Sequence, residues 1–231
     1  MDFSTPADAS AVSSLKETEN TYSGTVFWNF LAITLLAIAL VYCMQELLIN
    51  DELYYNSLAE KFTEERIQES INQAHHWAWL AFAILPVSNL IRFACVASCL
   101  SLGFFFSANK WTFKPFFWVA IQAELVLLLP LLLKIGWFSL VQPHYALVDL
   151  QNFFPLSLAS VVDYAAVDVW LRYPLQVLSV FEIAYCFMLV YGVKKTLRLS
   201  NGQSVKLVTL SYGSAMTLWV AFIMFLTINA L

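Results

Sequence analysis

Three ionisable side chains stand where ionisable side chains are costly. Arg92 lies in "SNLIRFACVASC", Glu124 in "AIQAELVLLLP" and Glu182 in "LSVFEIAYCFMLVYG", each with mainly apolar residues on both sides. A guanidinium presents a planar fork of N–H donors that matches a carboxylate two bonds at a time, so Arg92 can hold one of these glutamates in a bidentate pair. Gln122 and Asn89, on the same stretches as Glu124 and Arg92, offer further hydrogen bonds. One arginine balances one carboxylate. The expectation is therefore that one of Glu124 and Glu182 carries a proton near neutral pH. Such a cluster has two uses. It can clamp helices in register, or it can be a site: a proton relay, an ion path, or a pocket for a lipid headgroup or another small polar ligand. The residue types alone leave both open.

Other candidates carry less. Glu65, Glu69, Asn72 and His76 fall at i, i+4, i+7 and i+11, one face of a helix, where carboxylates and an imidazole are able to bind a divalent metal. A glutamate-rich surface helix produces the same pattern as a solvated face, which is the plainer reading. His75 and His76 beside Trp77 and Trp79 suit an interfacial belt, and His144 has no evident partner. Lys194, Lys195, Arg198 and Lys206 gather in one basic turn that would attract anionic headgroups. The four cysteines (Cys43, Cys95, Cys99, Cys186) all fall in apolar runs, as small packing residues do. No HExxH, GxSxG, GxGxxG or P-loop occurs, so no cofactor and no enzyme activity are expected.

These side chains need elements to position them. Of the 231 residues 60% are hydrophobic and only 12% charged, and the mean hydropathy is +0.69. A soluble domain of this length could not cover its surface from that composition, so the class is an all-α integral membrane protein with the lipid bilayer as its principal partner. A net charge of −4 implies no nucleic-acid partner. Five apolar runs are long enough to span, at about 26–49, 77–107, 113–139, 173–193 and 205–228. Residues 1–24 are polar, lack the features of a signal peptide, and read as a flexible tail ahead of a single membrane domain, 25–231. Residues 50–76 are charged, with Leu58, Phe62, Ile67 and Ile71 at near-helical spacing, which reads as an amphipathic helix over about 51–75. The stretch 150–170 is interrupted by Pro155, Asp163 and Asp168 and reads as a short interfacial or re-entrant helical segment.

Charge sets orientation. Lys16, Lys110, Lys114, Lys194, Lys195, Arg198 and Lys206 fall on one side of the bundle, against Lys61, Arg66, Lys134 and Arg172 on the other. The richer side is expected to be cytoplasmic, with the N-terminus inside and the C-terminus on the periplasmic or lumenal side. With that topology both glutamates lie ~16 Å from the cytoplasmic end of their spans and Arg92 ~22 Å along a tilted one, at ~1.5 Å per residue. The three charges are expected to meet near the bilayer centre.

The C-terminal half carries a further pattern. Asn152 and Phe153 precede the fourth span, which ends in Gly192 and Lys194, and "LSNGQSVK" (Leu199, Ser200, Gly202, Ser204, Lys206) steps into the last. This pattern resembles bacterial members of the Yip1 domain family over roughly residues 145–228. In that step Gly202 is expected to take a left-handed conformation and Ser204 to cap the last helix. The long acidic 50–76 segment and residues 161–174 depart from the family pattern. The resemblance implies five spans, a bacterial inner membrane and a non-catalytic role in membrane organisation or trafficking, through a protein partner or a second copy. It carries over no catalytic residues. The alternative function is a small proton- or ion-coupled transporter or channel built on Arg92, Glu124 and Glu182.

Overall fold

A computed structural model describes residues 6–49, 53, 55, 57, 59, 63–108, 112–162 and 166–230. The described chain is helical almost throughout. Helix α1 is Pro6–Leu48, α2 Glu64–Ala108 and α3 Lys114–Gly136, the last continued by a π-helical turn at Trp137–Val141. Two short helices follow, α4 at Leu147–Asn152 and α5 at Val169–Val177, then α6 at Val180–Leu197. The last rod is α7 (Asn201–Val208) joined to α8 (Ser214–Ala230) by a second π-helical turn, Thr209–Gly213. Among the described residues four helical stretches are long and apolar enough to cross a bilayer: Gly24–Leu48, Glu64–Phe106, Lys114–Val141 and Asn201–Ala230. Helices suit that solvent because every interior N–H and C=O is bonded within the segment. The outer faces of these rods are apolar too, as at Trp28, Phe106, Leu140 and Phe225, all exposed. The fold is that of a multi-span helical membrane protein.

Helix α3 is the axis of the bundle, packing against α1, α2 and α6. Its buried face is Phe116, Val119, Ala120, Ile121, Ala123, Glu124 and Leu128, a run of small and branched side chains broken by one carboxylate. Approach to α6 is close because Gly192 has no Cβ: one built there would lie 2.6 Å from Val119 Cγ1. Between lipid-facing helices, where water drives nothing together, such small-residue contacts supply the dispersion that holds a pair. Gly103 does the same for α2 against the last rod, where a Cβ would sit 2.6 Å from Ser211 Cβ. A second, smaller core of Leu48, Leu53, Phe138 and Leu150 closes the end of the bundle at which α1 finishes. There the Tyr145 hydroxyl donates to the Leu48 carbonyl at 2.9 Å, tying the connection before α4 to α1.

Helix α1 extends N-terminally of the first apolar run, through the Ser- and Thr-rich stretch to Pro6, which leaves the expected tail boundary at residue 24 untouched. Its Ala, Leu, Lys and Glu content favours helix, and proline is well placed in a first turn. Several expectations change. The amphipathic segment and the second span are not separate elements, because α2 carries both from Glu64 onward. Ile67 and Ile71 are buried as their spacing implied, whereas Leu58 and Phe62 lie outside the described residues. The run 173–193 is not one helix. It breaks at Leu178–Ser179, where Pro174 has already removed a backbone donor and the chain turns aside to pair with residues 156–158. Leu158 N–H bonds to the Leu178 carbonyl and Val180 N–H to the Leu156 carbonyl, each at 2.9 Å. Leu156 adopts a left-handed backbone (φ 55°) to make this return. The stretch expected over 150–170 therefore contains the end of α4, a 3-10 turn at Leu158–Ser160 and one side of this bridge, which ends α5 and begins α6.

The turn before the last rod also differs. Arg198, not Gly202, takes the left-handed conformation (φ 53°), and Gly202 lies inside the first turn of α7. The cap is Ser200, whose hydroxyl accepts from Gln203 N–H while the Gln203 side chain accepts from Ser200 N–H. That is a capping box, and it leaves Ser204 to bond back to the Ser200 carbonyl.

Candidate functional site

Two of the three expected charges meet directly. The Arg92 guanidinium on α2 forms an ion pair with Glu124 Oε1 on α3. The partners differ in environment: the Glu124 side chain is 2% exposed and that of Arg92 46%. The pair thus reaches from the core of the bundle to its flank. Glu124 Oε2 is buried and has no hydrogen-bond partner among the described residues.

Glu182 is held differently. It occupies the third position of α6, whose cap Ser179 accepts the Glu182 N–H through its hydroxyl at 3.1 Å. The start of a helix favours negative charge, because its first N–H groups and the aligned peptide dipoles point there. The Glu182 Oε1 atom accepts a 2.6 Å hydrogen bond from the Tyr212 hydroxyl. Tyr212 sits in the π turn Thr209–Gly213, where an added residue re-aims the side chains of the last rod. Tyr185, three residues after Glu182, is fully buried and packs its ring 5.5 Å from that of Tyr212. Arg92 lies within electrostatic range of Glu182, Tyr185 and Tyr212, so the two halves form one polar cluster across α2, α3, α6 and the last rod. A cavity of ≈ 490 Å³, walled by Ser157, Val180 and Ile183 among others, opens beside Glu182.

Among the described residues neither Gln122 nor Asn89 is joined to Arg92 by a hydrogen bond. Gln122 turns toward α1 and donates to the Asn29 side chain at 3.1 Å, so it ties α3 to α1 and does not bind Arg92. Asn89, one turn before Arg92, is buried. Lys194, Lys195, Arg198 and Lys206 are all exposed around the α6–α7 turn, where they remain free to meet headgroups. Among the described residues no three His, Cys, Asp or Glu side chains come together as a metal site. Glu65, Glu69 and His76 are strung along exposed turns of α2, with His76 edge-on to Trp77.

No protein-family model, no curated protein and no solved structure matches this chain. Sequence reasoning missed Tyr185 and Tyr212. Both had a signal: Tyr185 shares a helix face with Glu182, and Tyr212 is the one tyrosine in the last apolar run. A buried phenol needs a partner for its hydroxyl, and a carboxylate in the same layer is the natural one.

Proposed function

We propose that this protein is a non-catalytic, Yip1-like membrane protein that organises the bilayer around it by binding a partner helix along the flank of α2. The observation that supports this reading is the half-exposed Arg92 guanidinium, set in the middle of an apolar helix. A cation at that depth costs about 2.5–3.5 kcal/mol on insertion scales. Glu124 shields only its inner side. A partner helix presenting a carboxylate, carbonyl or hydroxyl would cover the other, and the rest of the α2 flank is already apolar.

Cys95 is exposed one turn after Arg92 and marks the same flank. A photo-crosslinking residue placed there in native membranes should give a discrete protein adduct, either a dimer of this chain or a complex with one other membrane protein. That adduct should disappear when Arg92→Leu and Glu124→Leu are combined. Adducts to lipid alone in the wild type would remove the reading.

A second reading, a proton-coupled carrier or channel, is favoured by a different observation. Arg92 pairs with Glu124 and lies within electrostatic range of a second carboxylate, Glu182, and the second oxygen of Glu124 has no partner among the described residues. Reconstituted vesicles decide here. Solute or ion flux driven by a pH gradient and lost in Glu182→Gln would replace the partner-binding reading with this one.

A further inference from the structure

Lys134 lies in the last turn of α3, at the end of the bundle opposite the Lys194–Lys195 turn, and makes no ion pair among the described residues. It lines a cavity of ≈ 280 Å³ between α3, the 153–157 return and the α5–α6 break. Leu131, Phe153 and Phe181 make its apolar walls, and Ser157, Gln176 and Ser179 its polar ones. The Ser157 hydroxyl is already spent on the Phe154 carbonyl. That of Ser179 accepts the Glu182 N–H and donates to nothing among the described residues, so its proton is available to the cavity. No carboxylate lines this space.

A lysine in a final helical turn is often there for the helix's own carbonyls. That explanation is weak here. The α3 rod continues through the π turn to Val141, so its free carbonyls begin at Phe138, about 6 Å beyond Lys134 at ~1.5 Å per residue, while a helical side chain leans the other way, toward the N-terminus. The walls instead combine one unbalanced cation and one free hydroxyl donor with an apolar floor. We propose that this cavity binds the phosphate group of an anionic ligand, with Lys134 as the countercharge, Ser179 as a hydrogen-bond donor, and the carbons next to the phosphate against Leu131 and Phe181. Lysine holds phosphate as a point charge and tolerates either a mono- or a diester. The space takes a headgroup and the first carbons attached to it, so any longer acyl tail would lie outside in the bilayer.

The test uses the full chain purified in a neutral detergent, with thermal unfolding and native mass spectrometry as readouts. The probes are dioleoyl-phosphatidylglycerol, dioleoyl-phosphatidylcholine and inorganic phosphate. Phosphatidylglycerol should raise the unfolding midpoint saturably and remain bound in the gas phase, with phosphatidylcholine at least tenfold weaker. Protection by inorganic phosphate but not by phosphatidylglycerol keeps the site and assigns it to a soluble phosphate. Lys134→Gln should lose the response and Lys134→Arg keep it. Leu131→Trp, which fills the cavity and leaves the charge in place, should lose it as well, separating a built site from attraction to a surface lysine. If Leu131→Trp responds like the wild type, or if no probe protects, the proposal is overturned. Should Lys134→Gln not fold, the contrast between Lys134→Arg and Leu131→Trp still decides.

Discussion

Glu124 and Glu182 are the same side chain on two helices that pack together, and the protein stabilises them by different means. Glu124 sits in the middle of α3, far from either helix end, where every backbone N–H nearby is already used. With no dipole to lean on, it takes a full countercharge from Arg92. Glu182 sits three residues into a helix that begins inside the apolar run because the chain breaks at Leu178–Ser179. It has the helix start beneath it and accepts a neutral phenol from Tyr212. The lesson is that an interrupted helix changes what a carboxylate costs. The break supplies partial positive charge from the backbone, which an unbroken span cannot do.

The hardest test of this contrast is to remove each carboxylate in turn. Glu124→Ala strands Arg92 on the flank of α2 with its inner face unpaired, at a cost of about 3 kcal/mol. Unfolding in detergent, followed by circular dichroism or by protease resistance, should register that as the largest single loss in the bundle. Adding Arg92→Met should recover most of it, because the pair is then gone from both sides. Glu182→Ala should cost clearly less, since it leaves behind a phenol and a helix start and no bare ion. Equal losses at the two positions would show that the helix start contributes nothing.

The next effect concerns the spacing between the two halves. Gly192→Ala drives a methyl into Val119, 2.6 Å from Cγ1, where the contact is with a short branched side chain that cannot swing away. Overpacking of this kind costs about 1–3 kcal/mol. It should push α6 from α3, carrying Glu182 away from Arg92 while leaving the Arg92–Glu124 pair on α2 and α3 intact. Combining it with Val119→Ala should restore stability, and failure of that rescue would mean that Gly192 serves something other than close approach.

Much of this arrangement was legible in the residues, for reasons that also explain the rest. Arg92, Glu124 and Glu182 stood out because charge in an apolar run is conspicuous, and helix rise put the two glutamates at matched depth with Arg92 about one turn deeper along a tilted span. The break in the fourth run was not legible. Pro174 hinted at it, but the partner that makes it a bridge, Leu156 to Leu158, is some twenty residues away and pairs through backbone atoms that carry no side-chain signature. Without the break, Glu182 reads as a mid-helix carboxylate like Glu124, and the asymmetry between them is invisible. The Ser200–Gln203 capping box is written in the sequence but is overshadowed by Gly202 beside it, since glycine near a helix end usually marks left-handed backbone. Tyr212 depended on a π turn, an added residue in the helix that no periodicity announces.

The smallest expected effect is the most discriminating. Tyr212→Phe removes one oxygen and leaves the ring packed on Tyr185, so it reports on the hydrogen bond to Glu182 and on little else. Interhelical hydrogen bonds in membrane proteins average only about 0.6 kcal/mol, because the unfolded chain in lipid also finds partners. A bond to an ionised group runs higher, about 1.5–3 kcal/mol. The size of the loss therefore reads the state of Glu182. A loss near 0.5 kcal/mol, unchanged between pH 5 and 8, means a neutral glutamic acid throughout. A loss that grows as pH rises means a carboxylate that ionises in that window, with the phenol donating most strongly to the charged form. The cycle with Glu182→Gln isolates the pair from any change in ring packing. A coupling near zero at every pH would mean that Tyr212 does not hold Glu182, leaving the helix start and its Ser179 cap as the whole of what offsets that carboxylate's burial.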